Sequence, residues 1–398
     1  MSTLKKITLA LASAFVLTVS HSALANEPIK IEPVKTPAHF IKGADISILA
    51  DVEKHGGVFY NQKGIKQDPL VILKHNGINY VRIRLWNDPK SASGQPYGGG
   101  NNDLTTDLAL AKRAHALGLK ILLDFHYSDF WTDPGKQFKP KAWANYDFPQ
   151  LKQIIGQYTQ KTVAAFAKAG VTPNMIQIGN EINGGILWPT GKSWGGDGHE
   201  FDRLAALLKS AIAGAKASAP QAKIMLHLAK GADQGMFKWW FGEITKRDVP
   251  FDVIGVSFYP YWDGSIKALK ANLDQVASTY HKDIVVVETQ YGYTTKNCDS
   301  APNSFGEKEA KKSGYPASVQ GQADFIHDLL QTVVSVSDHR GKGVFYWAPL
   351  WLPVKGSTWA TPAGMAYIHD KWQEGNSREN QDLFNCKGHV LPSIKAFN

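Results

Sequence analysis

The feature that most constrains this chain is an alternation of apolar strand-like runs with amphipathic helix-like runs along most of its length. Eight runs have strand character: Phe40–Ser47, Tyr80–Trp86, Lys120–Tyr127, Asn174–Ile182, Lys223–Ala229, Val253–Tyr259, Ile284–Tyr291 and Gly343–Ala348. Segments near 67–76, 105–118, 149–169, 199–218, 234–245, 265–280 and 319–337 separate them, with apolar residues at the three- and four-residue spacing of a helix that buries one face. Gly118 stands where a helix stop is expected. Eight strands and seven helices predict a parallel βα array, and the count favours a closed (β/α)8 TIM barrel of the α/β class, in one domain, over an open doubly wound sheet. No Gly-x-Gly-x-x-Gly turn follows the first strand, which counts against a dinucleotide fold.

Functional groups of such a barrel gather where strands end at its C-terminal face. Read in order, those ends offer Asp45, then Arg84 with Trp86, then His126, Tyr127 and Asp129, then Asn180 with Glu181. Later ends offer His227, Tyr259 with Trp262, Glu288 with Tyr291, and Trp347. Side chains alternate along a strand, so Arg82, Arg84 and Trp86 share one face while Val81, Ile83 and Leu85 share the other. The apolar face belongs against the helices, which turns the arginines inward. The same parity groups Gln177 and Gly179 with Glu181, and Ile284 and Val286 with Glu288.

A carboxylate at the end of a buried strand is costly to desolvate unless it pairs or works. Either glutamate alone could simply cap its strand. Two of them, on strands four and seven, point to a paired-carboxylate hydrolase. Carboxyls roughly 5–5.5 Å apart suit a retaining glycosidase, one protonating the leaving oxygen and the other attacking the anomeric carbon. Glu181 is the better acid/base, because the amide of Asn180 beside it can bond a sugar 2-hydroxyl. Glu288 is then the nucleophile, with Arg84 and Tyr259 as candidate donors to its ionised form; an internal salt bridge is the other reading of Arg84. His126 and His227 could bind zinc, but Gly43–Ser47 lacks the His-x-His common in metal-dependent barrels, so they are assigned to sugar hydroxyls or to orienting carboxylates. Of the 12 tryptophans, Trp239 and Trp240 fall inside a helix and read as packing. Trp86, Trp131, Trp188, Trp262, Trp347 and Trp351 fall at or beyond strand ends, where flat rings can stack on pyranoses.

Residues 1–25 read as a secretory signal peptide: Lys5-Lys6, an uncharged run from Ile7 to Val19, and Ser22-Ala23-Leu24-Ala25 before the expected cleavage. The run is short of the roughly 20 residues that a bilayer requires. No membrane span, and a secreted or periplasmic location, are therefore expected. Residues 26–39, rich in proline, read as a leader before a catalytic domain at 40–398. Cleavage removes two lysines and no acid from a chain of net charge +9. The remaining positive balance suits acidic polymers, yet no basic block or arginine-rich arm marks a nucleic-acid partner. Cys298 and Cys386 either pair in the oxidising compartment or stay as buried thiols.

The chain resembles glycoside hydrolase family 53, the arabinogalactan endo-β-1,4-galactanases of clan A. The resemblance rests on Lys42–Ser47, Tyr80–Pro89, Asp124–Asp129, Gly179–Ile182 with Leu187-Trp188-Pro189, Ser257–Trp262, Val286–Thr289 and Phe345–Trp347, and runs from about residue 40 to the C-terminus. It implies retention of configuration and cleavage inside β-1,4-galactan of pectic arabinogalactan, with Glu181 as acid/base, Glu288 as nucleophile and the other strand-end residues as sugar contacts. Another clan A endo-glycanase, such as a mannanase, and a non-catalytic sugar-binding barrel are the alternatives. A monomer is expected. Some bacterial members hold calcium on an Asp-rich run between the loops after strands seven and eight. Residues 295–318 have only Asp299, Glu307 and Glu309 among lysines, so neither a metal nor any cofactor is expected, and a Cys298–Cys386 disulfide is predicted to clamp those loops instead. Ala348 stands where many relatives are expected to carry glutamate.

Overall fold

The computed structural model describes residues 29–398, so the signal-peptide segment lies outside the described residues. Eight parallel strands close a barrel in chain order: β1 (Ile41–Asp45), β2 (Tyr80–Leu85), β3 (Lys120–Phe125), β4 (Met175–Ile178), β5 (Lys223–Leu228), β6 (Val253–Ser257), β7 (Asp283–Glu288) and β8 (Gly341–Tyr346). Outside them lie α1 (Pro69–His75), α2 (Leu104–Ala116), α3 (Phe148–Lys168), α4 (Glu200–Ser218), α5 (Gln234–Thr245), α6 (Ile266–Tyr280) and α7 (Val319–Val334). The 3-10 turn Pro392–Phe397 takes the eighth helical place, packing on α7, with the Phe397 carbonyl so near Gly77 that a Cβ there would stand 2.3 Å away. Short helices at Leu49–Lys54, Pro260–Asp263, Glu307–Ser313 and Pro362–Tyr367 sit in the loops, where no long apolar period announces them. Among the described residues no helix is long and apolar enough to cross a membrane.

Local chemistry sets the element boundaries. Asp147 and Gln150 form a reciprocal capping box at the start of α3, and the Asp103 and Ser318 side chains cap α2 and α7. After α2, Gly118 takes the left-handed backbone (φ 73°) that the stop requires. Residues 29–39 carry no helix or strand, but Val34 is buried and the Lys30 N–H reaches Gln320 on α7 at 2.9 Å.

The barrel interior divides into two levels. Ile41, Tyr80, Leu122, Met175, Met225, Val253, Val285, Val287 and Phe345 fill the lower one as an apolar plug. Asp45, Arg82, Asp124, Gln177, His227 and Ser257, all buried, crowd the upper one. The parity of β2 therefore holds, with Arg82 and Arg84 inside. On β7 it fails: Ile284 and Val286 belong to the core against the helices, while Val285 and Val287 point inward. The register slips between Val256↔Val286 and Ser257↔Glu288, so Val287 is an extra residue that turns Glu288 to the interior as well. On β4 the alternation ends at Ile178, since Gly179 (φ 85°) and Glu181 (φ 49°) are left-handed.

Cys298 and Cys386 form a disulfide that joins the β7 and β8 loops. It closes 88 residues of sequence, and Cys298→Ala/Cys386→Ala is expected to cost about 2–4 kcal/mol by chemical denaturation; an unmoved midpoint would refute a stabilising role. Beside it, burial pushes Glu379 up to about 7 and Asp382 well above the usual carboxylate range. Acids raised in this way favour folding while protonated, and that contribution falls as pH rises through about 7.

Candidate active site

Arg82 organises the mouth of the barrel. The β1–β2 register sets it beside Asp45, and its guanidinium donates to Asp45 Oδ2 (3.0 Å), Asp124 Oδ2 (2.7 Å), Asn180 Oδ1 (2.8 Å) and, more distantly, Gln177 Oε1 (3.3 Å). The same Nη2 lies 2.8 Å from Glu288 Oε1. Tyr259 donates its hydroxyl to the other Glu288 oxygen at 3.2 Å. The Tyr259 half of the expectation about Glu288 is met; the Arg84 half is corrected. Arg84 sits one inward position further up, bonding the Gly99 carbonyl and Asn102 and stacking on Trp86 and Trp131, with its guanidinium carbon 4.0 Å from the Trp131 ring centre.

Glu181 has a different environment. The Ser257 hydroxyl donates to its Oε1 at 2.7 Å, and among the described residues no Lys, Arg or His side chain forms an ion pair with it. Ser257 is also the strand partner of Glu288, so the two carboxyls flank one residue at the β4, β6 and β7 ends. Below them, the Glu181 N–H (3.3 Å) and Gln177 Nε2 (3.0 Å) both aim at His227 Nδ1. Asn180 Oδ1 also lies 3.1 Å from that nitrogen, but the backbone N–H can only donate and the Ser257 hydroxyl gives its proton to Glu181; both directions place the lone pair on Nδ1 and leave Nε2–H to donate to Ser257 Oγ at 2.8 Å. Burial, with Arg82 nearby, keeps His227 neutral by lowering it well below the usual histidine range.

The carboxyls are tuned apart. Burial and the charge of Glu288 raise Glu181 well above its ordinary value. Burial raises Glu288 too, but Arg82 opposes it, so of the pair Glu288 ionises first and Glu181 keeps the proton. Asp124 is held down despite its burial by Arg82 and by His126, whose Nε2 is 3.1 Å away. His126 Nδ1 meanwhile accepts from Thr132.

A cleft of about 370 Å³ opens over this cluster. Eight residues singled out from sequence line it: Arg84, His126, Asn180, Glu181, Tyr259, Trp262, Glu288 and Trp347, along with the stacking candidates Trp131 and Trp351. The other five lie behind it. Asp45 is spent on Arg82 and on the Ser47 N–H, and His227 is covered by the Glu181 backbone. Trp86 packs on Phe130 beneath Arg84, Asp129 holds Lys141 and the Asp88 N–H, and Tyr291 is buried with its hydroxyl on Tyr315. Trp188 is also outside, bonded to Gly184. Sequence reading missed Arg82 as the central cation, Asp124, Ser257 and Arg378. The first three could have been found by carrying strand parity one residue inward. Arg378, which lies over the Tyr259, Trp262 and Trp347 rings, comes from a loop without period.

Asp299 spends its oxygens on the N–H groups of Ala301 and Asn376 (2.7 Å each), and Glu309 accepts from Gly306. Among the described residues no group of three or more His, Cys, Asp or Glu side chains is placed to hold a metal ion.

A closed parallel barrel with two unlike carboxyls among aromatic rings at its C-terminal mouth defines a barrel glycoside hydrolase. The comparisons narrow the class. Residues 41–397 match the model of glycosyl hydrolase family 53, and the chain belongs to that family. It is similar to the endo-beta-1,4-galactanase of Bacillus subtilis (38% identical, covering 90% of this chain and 85% of that one) and to the arabinogalactan endo-beta-1,4-galactanase of Cellvibrio japonicus (35%, 90% of each). Among solved structures it is similar to the Ignisphaera aggregans GH53 catalytic domain, with TM-score 0.87, 41% identity, and coverage of 93% and 99%.

Proposed function

We propose that this chain is a secreted or periplasmic, monomeric, retaining endo-β-1,4-galactanase acting on the galactan of pectic arabinogalactan. The observation that carries the mechanism is the unequal setting of the carboxyls, Glu288 on the Arg82 cation and Tyr259, Glu181 on the neutral Ser257 hydroxyl. Ionised Glu288 attacks the anomeric carbon while Glu181 gives its proton to the departing glycosidic oxygen. The freed Glu181 carboxylate then takes a proton from water, which displaces Glu288 and restores the β configuration. Asn180, held by Arg82 and by the Thr132 carbonyl at 2.9 Å, presents its amide at the cleft for the 2-hydroxyl. The two side-chain acids carry every proton and bond change, so the reading requires no metal or cofactor. Relatives with this activity in their names support the substrate assignment.

Chromatography of products from linear β-1,4-galactan, run beside mannan, xylan and cellulose, tests it. Short galacto-oligosaccharides from galactan alone are expected; release from mannan instead would assign the chain to another clan A activity. Glu181→Gln is expected to lower kcat on galactan by roughly 10²–10⁴-fold, the range of general acid catalysis. Wild-type activity should fall at high pH as Glu181 loses its proton, and at low pH as Glu288 gains one. Because Glu181 is raised, the high-pH limb should lie above the ordinary carboxylate range. With an aryl galactoside whose leaving group departs unprotonated, Glu181→Gln should lose that limb; a limb that persists would assign the proton to another group.

A further inference from the structure

An aromatic track leaves the cleft on the β4 side. The cleft residue Asp133 precedes Pro134, whose carbonyl shares the surroundings of Gly184 with the Trp188 ring. Trp188 meets Trp194 edge to face at 6.1 Å. Trp194, 54% exposed, and Trp239, 44% exposed on the outer face of α5, then line one surface depression of about 320 Å³. Phe201 lies between, its ring 5.1 Å from that of Trp239. Lys192 stands 4.0 Å from the centre of the Trp194 ring, yet more than half of that residue remains in water.

The chemistry around these rings selects the occupant. Arg247 is held by Asp202 (2.6 Å) and Glu243 (2.7 Å), and the Glu200 carboxylate accepts from the N–H groups of Gly196 and Asp197. Arg247 and Lys192 are thus matched in number by Glu200 and Glu243, with Asp202 a further acid beside Arg247, so the depression has little net pull on an anionic polymer or lipid. Its rim nonetheless offers hydrogen-bonding atoms next to flat apolar faces. A neutral polyhydroxylated chain matches that combination, stacking its rings on indole while its hydroxyls meet polar side chains.

We infer that Trp194 and Trp239 form a second sugar-binding surface, reached from the cleft along Trp188, which holds a distant part of the same neutral galactan whose other part lies over Glu181 and Glu288. This rests on the galactanase reading. About half of each indole is buried, so each variant is first matched to the parent chain by its denaturation midpoint, and the Trp→Phe changes keep the packing on Phe201.

The test is electrophoresis in native gels with and without linear β-1,4-galactan, using full chains made inactive by Glu288→Gln so that the polymer survives. Trp194→Ala/Trp239→Ala is expected to weaken galactan retardation about threefold or more, and the two Trp→Phe changes to restore much of it. In active chains the double alanine change should raise KM for the polymer while kcat/KM for galactotriose keeps its value. Unchanged retardation, or equal losses on polymer and trisaccharide, would overturn the inference. So would sedimentation showing that the tryptophans join two copies of the chain, with galactan retention unaffected. If unmodified protein fails to cleave galactan, the underlying reading fails; if it cleaves galactan but the variants bind normally, only this surface does.

Discussion

Glu288→Ala is expected to lower kcat on β-1,4-galactan by roughly 10⁴–10⁶-fold, the scale on which losing a covalent nucleophile acts. The loss should exceed that of Glu181→Gln, because without Glu288 the chain supplies no group to form the glycosyl–enzyme bond, whereas without Glu181 water can still protonate the departing oxygen. The alanine leaves a space beside Arg82 and Tyr259, whose donors formerly met the carboxylate. A small anion such as azide should enter it, be held by the same two donors, and attack the anomeric carbon from the face that Glu288 used. With an activated aryl galactoside, whose first step no longer limits, the product should be α-galactosyl azide, inverted relative to the substrate. Proton NMR of the anomeric signal reads this directly. A β-azide, or a variant keeping more than a tenth of wild-type activity, would remove Glu288 from the nucleophile's place.

The difference between Glu288 and its strand shows how far sequence could be read. Apolar runs of strand length, spaced by helical periods, announced the barrel because each run must bury two faces, and all eight strands formed. Alternation also gave the inward arginines, since β2 is regular from Tyr80 to Leu85. It could not give the orientation of Glu288, which depends on a bulge set by pairing with β6, a relation between strands that no single strand encodes. Nor could it choose between Arg82 and Arg84. Both face inward, and only the stagger of neighbouring strands puts Arg82 level with Asp45 while lifting Arg84 to Trp131. Beyond the strand ends parity has no meaning. Trp86 and Trp347 looked alike in sequence, yet the first packs into a core with Phe130 and Tyr97 and the second lines the cleft.

Arg82→Met should produce the largest loss of stability of any single change at this site, about 3–5 kcal/mol by chemical denaturation, because it leaves Asp45, Asp124 and Glu288 buried without their shared cation. The pH dependence separates this from a simple packing defect. Asp124 has a lowered value in the fold, so its contribution to stability is present above the unfolded carboxylate value and disappears as pH falls through the folded one. The gap between wild type and Arg82→Met should therefore be widest near neutrality and narrow in acid, where the carboxyls are protonated in both. Catalysis should respond in the same sense. Without Arg82 only the Tyr259 hydrogen bond still opposes burial at Glu288, so its value rises and the low-pH limb of activity should move upward. Arg82→Lys keeps the charge but not the fork that serves Asp45, Asp124, Asn180 and Glu288 together. It should recover part of the stability and little of the rate. An Arg82→Met protein as stable as wild type at neutral pH, with its low-pH limb unmoved, would mean that the carboxyls at the barrel mouth are neutralised by some other group.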